Sequence, residues 1–133
     1  MLLTFIYTHC PDVCPLIVSE MHTALVALGL KARQVQIVAV SVDPHGDTPR
    51  TVKKFLAAHL MTGRMEYLIG TRKQLAPVWR RYSIAVEGTP EKREVGHSSV
   101  VYGLTASRKR LALYPAELKA SWIVHDVPLL AAQ

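Results

Sequence analysis

Residues 2–15 read Leu2-Leu3-Thr4-Phe5-Ile6-Tyr7-Thr8-His9-Cys10-Pro11-Asp12-Val13-Cys14-Pro15. The apolar run over residues 2–7 suits a buried strand. Pro15 offers the first position of a helix, with Cys14 as its N-cap. Leu16, Ile17, Met21, Leu25 and Leu28 then recur at helical spacing, and Gly29 is a plausible stop. Cys10 and Cys14 are the only cysteines. Two thiols at a strand-to-helix junction make a soft, redox-active site, so metal binding and thiol exchange are the chemistries to test.

The rest of the chain extends this start into an α/β pattern. Residues 35–42 form a second β-branched run, closed by Asp43-Pro44. Thr48 and Pro49 mark a helix start, with Val52, Phe55, Leu56, His59 and Leu60 along one side and Gly63 closing the segment. A short strand is expected over residues 65–69. Thr71 should cap a helix reaching about Arg81, with Val78 and Trp79 turned inward. A polar loop follows over residues 87–94. Residues 99–104 and 111–114 read as a hairpin around a polar turn at 105–110. Residues 115–127 form a closing helix that Pro128 limits. The order is β-α-β-α-(β)-α-β-β-α. Its early alternation implies parallel pairing with right-handed crossovers, and the hairpin adds an antiparallel edge. The expected fold is a single thioredoxin-like α/β domain over residues 1–133, a central mixed sheet flanked by helices.

Composition narrows the function classes. The chain has 133 residues, half of them hydrophobic, and a net charge of +6. That length supports one domain with a real core. The charge favours acidic partners or anionic headgroups. Its basic residues are scattered except for Arg108-Lys109-Arg110, which reads as a solvated hairpin turn, and the aromatics form no stacking platform, so no nucleic-acid partner is expected. Two cysteines make neither a disulfide scaffold nor a four-cysteine zinc site. No stretch is read as approaching the roughly 20 apolar residues of a membrane span, and Met1-Leu2-Leu3 does not read as a signal peptide. The expectation is a chain soluble as it stands, or one whose anchor lies upstream.

A helix N-terminus favours thiolate, so both cysteines are expected to be more acidic than an ordinary thiol. Pro11 and Pro15 stiffen the loop between them. The spacing is Cys-x-x-x-Cys, one residue wider than the thioredoxin pattern, and suits a soft ion such as Cu(I) or Zn while still allowing a disulfide. A third ligand is wanted. His22, His59 and His125 lie in expected helices, where a surface or core role is the ordinary one. His9 should diverge from Cys10, and His45 stays open as a second or transient ligand. His97 lies in Val95-Gly96-His97-Ser98-Ser99, just before the hairpin. In thioredoxin-like folds that loop faces the dithiol, and oxidoreductases place a cis-proline there. An imidazole in its place favours coordination. Asp43 reads as a strand-ending turn residue and Asp12 as a turn former within the cysteine loop.

Three separated motifs carry a resemblance: Thr8 to Pro15, then Ser41-Val42-Asp43-Pro44 with Asp47-Thr48-Pro49, then Gly96-His97-Ser98. In this order, over about residues 4–114, they resemble the Sco/SenC family. The resemblance implies a thioredoxin-like copper protein that helps assemble the binuclear copper centre of cytochrome c oxidase. The implied copper ligands, for Cu(I) and with an added ligand Cu(II), are Cys10, Cys14 and His97. The implied partners are a copper-accepting oxidase subunit and a copper donor protein. The implied setting is the periplasm or the mitochondrial intermembrane space, with an N-terminal anchor. Gly96 departs from the acidic residue that commonly precedes the ligand histidine. The chain also starts almost at the motif strand and so is N-terminally truncated relative to the family domain. The rival readings are a thiol-disulfide reductase, in which Cys10 attacks and Cys14 resolves, and a peroxidase.

Overall fold

Every residue of β1 (Leu2–Ile6) is buried, so this strand has to be covered on both faces. The computed structural model describes residues 1–11, 13–87, 96–97 and 100–133, with the backbone alone for Glu87, Gly96 and His97. In it β1 runs parallel to β2 (Ile37–Ser41), in a register from Leu2↔Ile37 to Ile6↔Ser41. On the far side of β2 lies β3 (Met65–Leu68), also parallel. On the other side of β1 lies the hairpin of β6 (Val100–Leu104) and β7 (Arg110–Pro115), both pairings antiparallel. The five strands are ordered β3-β2-β1-β6-β7. A separate two-stranded ribbon joins β4 (Val86–Glu87) to β5 (Gly96–His97).

The register shows what covers each face. Leu2 stands opposite Gly103, and Leu3 opposite Tyr102. A Cβ on Gly103 would sit 3.2 Å from Leu130 Cδ1 and 3.0 Å from Ala112 Cβ, so α4 (Ala120–Ala131) presses on that face. Beside α4 runs α1 (Val13–Leu28), whose Glu20 Oε2 accepts from Ala120 N–H at 2.7 Å. On the opposite face the Phe5 and Tyr102 rings flank Tyr82, with centroids 5.7 and 5.4 Å away. Tyr82 ends α3 (Arg72–Arg81). Trp79 of the same helix is buried and donates its indole N–H to the Ser41 carbonyl at 2.9 Å. This mixed sheet between helices is the thioredoxin-like arrangement the sequence implies.

Local chemistry sets most boundaries. Thr48 caps α2 (Pro49–Ala58) and Thr71 caps α3, each in a reciprocal box, with Thr51 and Gln74 as third residues. Gly29 takes φ +56° where α1 ends, and the chain tightens into a 3-10 turn over Gly29–Gln34.

Four expectations are corrected. Helix α1 begins at Val13, so Cys14 lies inside its first turn rather than capping it. The closing helix starts later and passes through Pro128 to Ala131. Burial of Ile123, Val127 and Leu130 on one stripe outweighs the hydrogen bond that the proline deletes. The β4–β5 ribbon replaces part of the expected loop, the remainder of which lies outside the described residues. Finally, Val13–Gln34 is long and apolar enough by composition to cross a membrane. In this fold it is a core helix, with Ile17, Val18, Met21, Ala24 and Leu25 all buried.

Replacing Trp79 with Phe should keep most of the apolar burial but leave the Ser41 carbonyl without that donor. The expected loss is about 1–3 kcal/mol, read from urea unfolding. Thr71→Ala should lose about 1 kcal/mol through its cap. A Trp79→Phe protein as stable as the parent would show that the indole bond does not anchor α3.

Candidate metal centre

The strand ladder between β1 and β2 stops soon after Ile6, where Val42 N–H donates to the Ile6 carbonyl at 3.0 Å. Beyond it, the chain is held by a side chain from the next loop. Asp47, only 4% exposed, accepts from Thr8 N–H at 2.9 Å and Thr8 Oγ1 at 2.8 Å, both on Oδ1. Its Oδ2 accepts from Ser41 Oγ at 2.7 Å and Tyr67 Oη at 2.8 Å. Burial, then the Asp47 charge, pushes the Tyr67 phenol well above its usual range, so it stays a donor.

From Thr8 the chain turns sharply. Cys10 N–H donates to the Tyr7 carbonyl at 3.3 Å. Cys14 N–H, in the first turn of α1, points back to Cys10 Sγ at 3.4 Å. The two cysteines are not in a disulfide; Cys10 is half-buried and Cys14 fully buried. The Tyr7 backbone also hydrogen-bonds the Cys14 thiol. The expected acidification does not extend to Cys14. Its hydrogen bond to the Cys10 side chain, followed by burial, pushes this thiol far above the ordinary range, and the nearby Asp47 charge acts in the same direction. The hydrogen bond to Cys10 and burial together outweigh the field of the helix terminus.

His97 lies on β5, paired with Val86. Its side chain is outside the described residues, as is Asp12, so neither the third ligand nor the Asp12 turn is placed. The remaining histidines take ordinary positions. His22 is half-buried in α1, and His59 packs on Phe55 with ring centroids 4.4 Å apart. His125 pairs with Asp126 at 2.8 Å, and His45 is exposed. Arg110, from the basic triplet, stacks on Tyr82 and Tyr102 at 4.8 and 5.3 Å.

Among the described residues, His9, Asp43 and Asp47 bring ligand-type atoms within 4.8 Å of one another. The four donors on Asp47 fill its lone-pair positions, so a cation there would have to break them. Asp43 ends β2 as expected, its Oδ1 accepting Gly46 N–H at 3.0 Å. A Cβ on Gly46 would fall 2.2 Å from Asp43 Oδ2, so any side chain there would have to displace the Asp43 carboxylate. In the sequence Asp47 stands out only within Asp47-Thr48-Pro49, as part of a helix start and of the motifs that carry the family resemblance. The missed signal was that Thr8, Ser41 and Tyr67 all fall at the C-terminal ends of neighbouring parallel strands, where such sheets gather their sites.

The SCO1/SenC family model matches residues 1–131. Protein SenC of Rhodobacter capsulatus is 32% identical over 129 residues, which cover 95% of this chain and 58% of that protein. The structure of Bradyrhizobium japonicum ScoI with copper bound superposes with a TM-score of 0.84 at 28% identity, covering 97% of this chain and 83% of that one. BsSco, described through a disulfide switch and as a member of the Sco family of cytochrome c oxidase assembly proteins, gives a TM-score of 0.76 at 27% identity over 98% of this chain and 78% of that one. The match runs through the strand, the dithiol loop and the hairpin alike, and the chain belongs to the SCO1/SenC family.

Proposed function

We propose that this protein binds copper through the thiolates of Cys10 and Cys14 and the imidazole of His97, and hands it to a subunit of cytochrome c oxidase during assembly. The observation that carries this is the hydrogen-bonded, unoxidised pair of sulfurs at the start of α1. Two soft donors on a stiffened loop suit Cu(I), and an imidazole completes a near-trigonal set. The copper-bound ScoI relative has the same fold. On this reading the dithiol has to be reduced before loading, so redox state gates uptake. The domain would work in the periplasm or the intermembrane space, tethered by an upstream anchor, between a copper donor and the oxidase subunit.

A second reading has an observation in its favour. Cys10 is the more exposed sulfur and Cys14 the buried one, the asymmetry of an attacking and a resolving thiol. A reductase acting on oxidase cysteines would use them so, and a disulfide switch is described for BsSco.

Cu(I) titration of the reduced protein against a competing chelator separates the readings. His97→Ala should weaken binding by more than the roughly 10–100-fold typical of losing a supporting residue. Unchanged affinity would sink the three-ligand site. Disulfide turnover that survives both copper removal and His97→Ala would favour the reductase.

The buried Cys14 thiol adds a pH dependence. It is protonated at neutral pH and has to lose that proton to coordinate. Loading at pH 7 should therefore release about one proton per ion from this residue, and apparent affinity should rise with pH. The Cys14→Ser variant should lack that release in an unbuffered titration.

A further inference from the structure

Both cysteines hang from one short piece of backbone. The Tyr7 carbonyl accepts from Cys10 N–H at 3.3 Å, and the Tyr7 backbone also hydrogen-bonds the Cys14 thiol. The next residue, Thr8, is past the strand ladder, and its N–H and hydroxyl both go to Asp47 Oδ1. The other oxygen of that carboxylate is fixed from behind by Ser41, at the end of β2, and by Tyr67, on β3. Ser41 is itself gripped by Trp79 on its carbonyl, and its Oγ accepts Asp43 N–H at 3.1 Å. One side chain thus ties the ends of three parallel strands to the residue from which the cysteine loop departs.

We propose that Asp47 is the positioning residue of the dithiol, a buried clamp that sets the separation and depth of Cys10 and Cys14 through Thr8 and Tyr7. It touches neither sulfur among the described contacts. It acts by fixing the point where the loop leaves the sheet. A carboxylate suits this task because it accepts on both oxygens, two donors from the loop on one and two from the sheet on the other. An amide fits less well: turned to the loop its NH2 group meets the Thr8 N–H, which only donates, and turned to the sheet it needs the Ser41 and Tyr67 hydroxyls to accept instead of donate. The copper part of this proposal rests on the function proposed above, whereas the positioning part stands on the thiols alone.

The test compares Asp47→Asn with Thr8→Ala, which removes a loop-side donor, and Tyr67→Phe, which removes a sheet-side donor. Two quantities are read on the reduced full chain. The first is the rate at which iodoacetamide modifies the buried Cys14 in metal-free protein under native conditions. The second is Cu(I) affinity by chelator competition. Asp47→Asn should raise the Cys14 rate about tenfold or more and weaken copper binding by roughly 10–100-fold, the range for residues that orient ligands. Thr8→Ala should move both in the same direction by a smaller factor. Tyr67→Phe, which leaves Ser41 as the one sheet-side donor, should move both in the same direction by a smaller factor than Asp47→Asn, whereas Thr71→Ala, which removes a helix cap and none of the Asp47 bonds, is the stability control and should leave both within about twofold. Combining Asp47→Asn with Thr8→Ala should add little to Asp47→Asn alone, because the two remove one connection.

The proposal is overturned if Asp47→Asn moves both readouts no further than Thr71→Ala, or if the double variant is additive. Should Asp47→Asn fail to fold, Thr8→Ala decides: unchanged thiol reactivity overturns the clamp. Should the parent protein bind copper no more tightly than its His97→Ala variant, the three-ligand reading fails, while the alkylation rates still decide the clamp.

Discussion

A carboxylate with all its lone pairs occupied stands at the end of three strands. Without Asp47, the N–H and hydroxyl of half-buried Thr8, the hydroxyl of buried Ser41 and the phenol of half-buried Tyr67 would need other acceptors. An unmade bond to a buried group is costly, on the order of 1–3 kcal/mol each. The sheet can therefore end in register and release the chain at one defined point only while that acceptor is present. The loop carrying it is equally constrained. Gly46 lies so close to the Asp43 carboxylate that a side chain there would displace it, and Asp47 N–H donates to the Asp43 carbonyl at 2.9 Å.

The remaining architecture orients this end of the sheet. Two-sided burial of β1 makes it the central rail, with α4 and α1 on one face and the end of α3 on the other. The indole of Trp79 reaches across to β2 at the same level as the carboxylate. The polar hub and the apolar core thus brace each other. The core holds the strands flat against the helices, and the hub fixes where the strands stop.

Much of this was legible in the residues because local chemistry agreed with the global fold. Thr48 with Pro49, and Thr71 with Gln74 three positions on, specify helix starts that the structure keeps. The β-branched run before Asp43 specifies β2. Three separated motifs, the dithiol loop among them, carried the family resemblance. What escaped the sequence depended on distance along the chain. Asp47 receives hydrogen bonds from Thr8, 39 positions away, and from Tyr67, 20 positions away, which no local pattern records. The acidity expected of Cys14 came from its helix, whereas its burial comes from the whole domain. The reach of α4 through Pro128 reflects packing that overrides a local breaker. Its apolar composition makes α1 resemble a membrane segment until the sheet beneath it is seen. His97, proposed as the third ligand from motif and topology, lies on β5 by its backbone alone.

The unequal depth of the two sulfurs gives the site an order of events. For any ion that Cys10 and Cys14 share, the half-exposed sulfur is the first to be met on arrival and the last to be left on departure. On the proposed function, an acceptor would compete at the rim with the exposed ligand alone. Exit becomes a sequence of single-bond exchanges. Handover would then depend on contact between two protein surfaces, and little on escape of the ion into water.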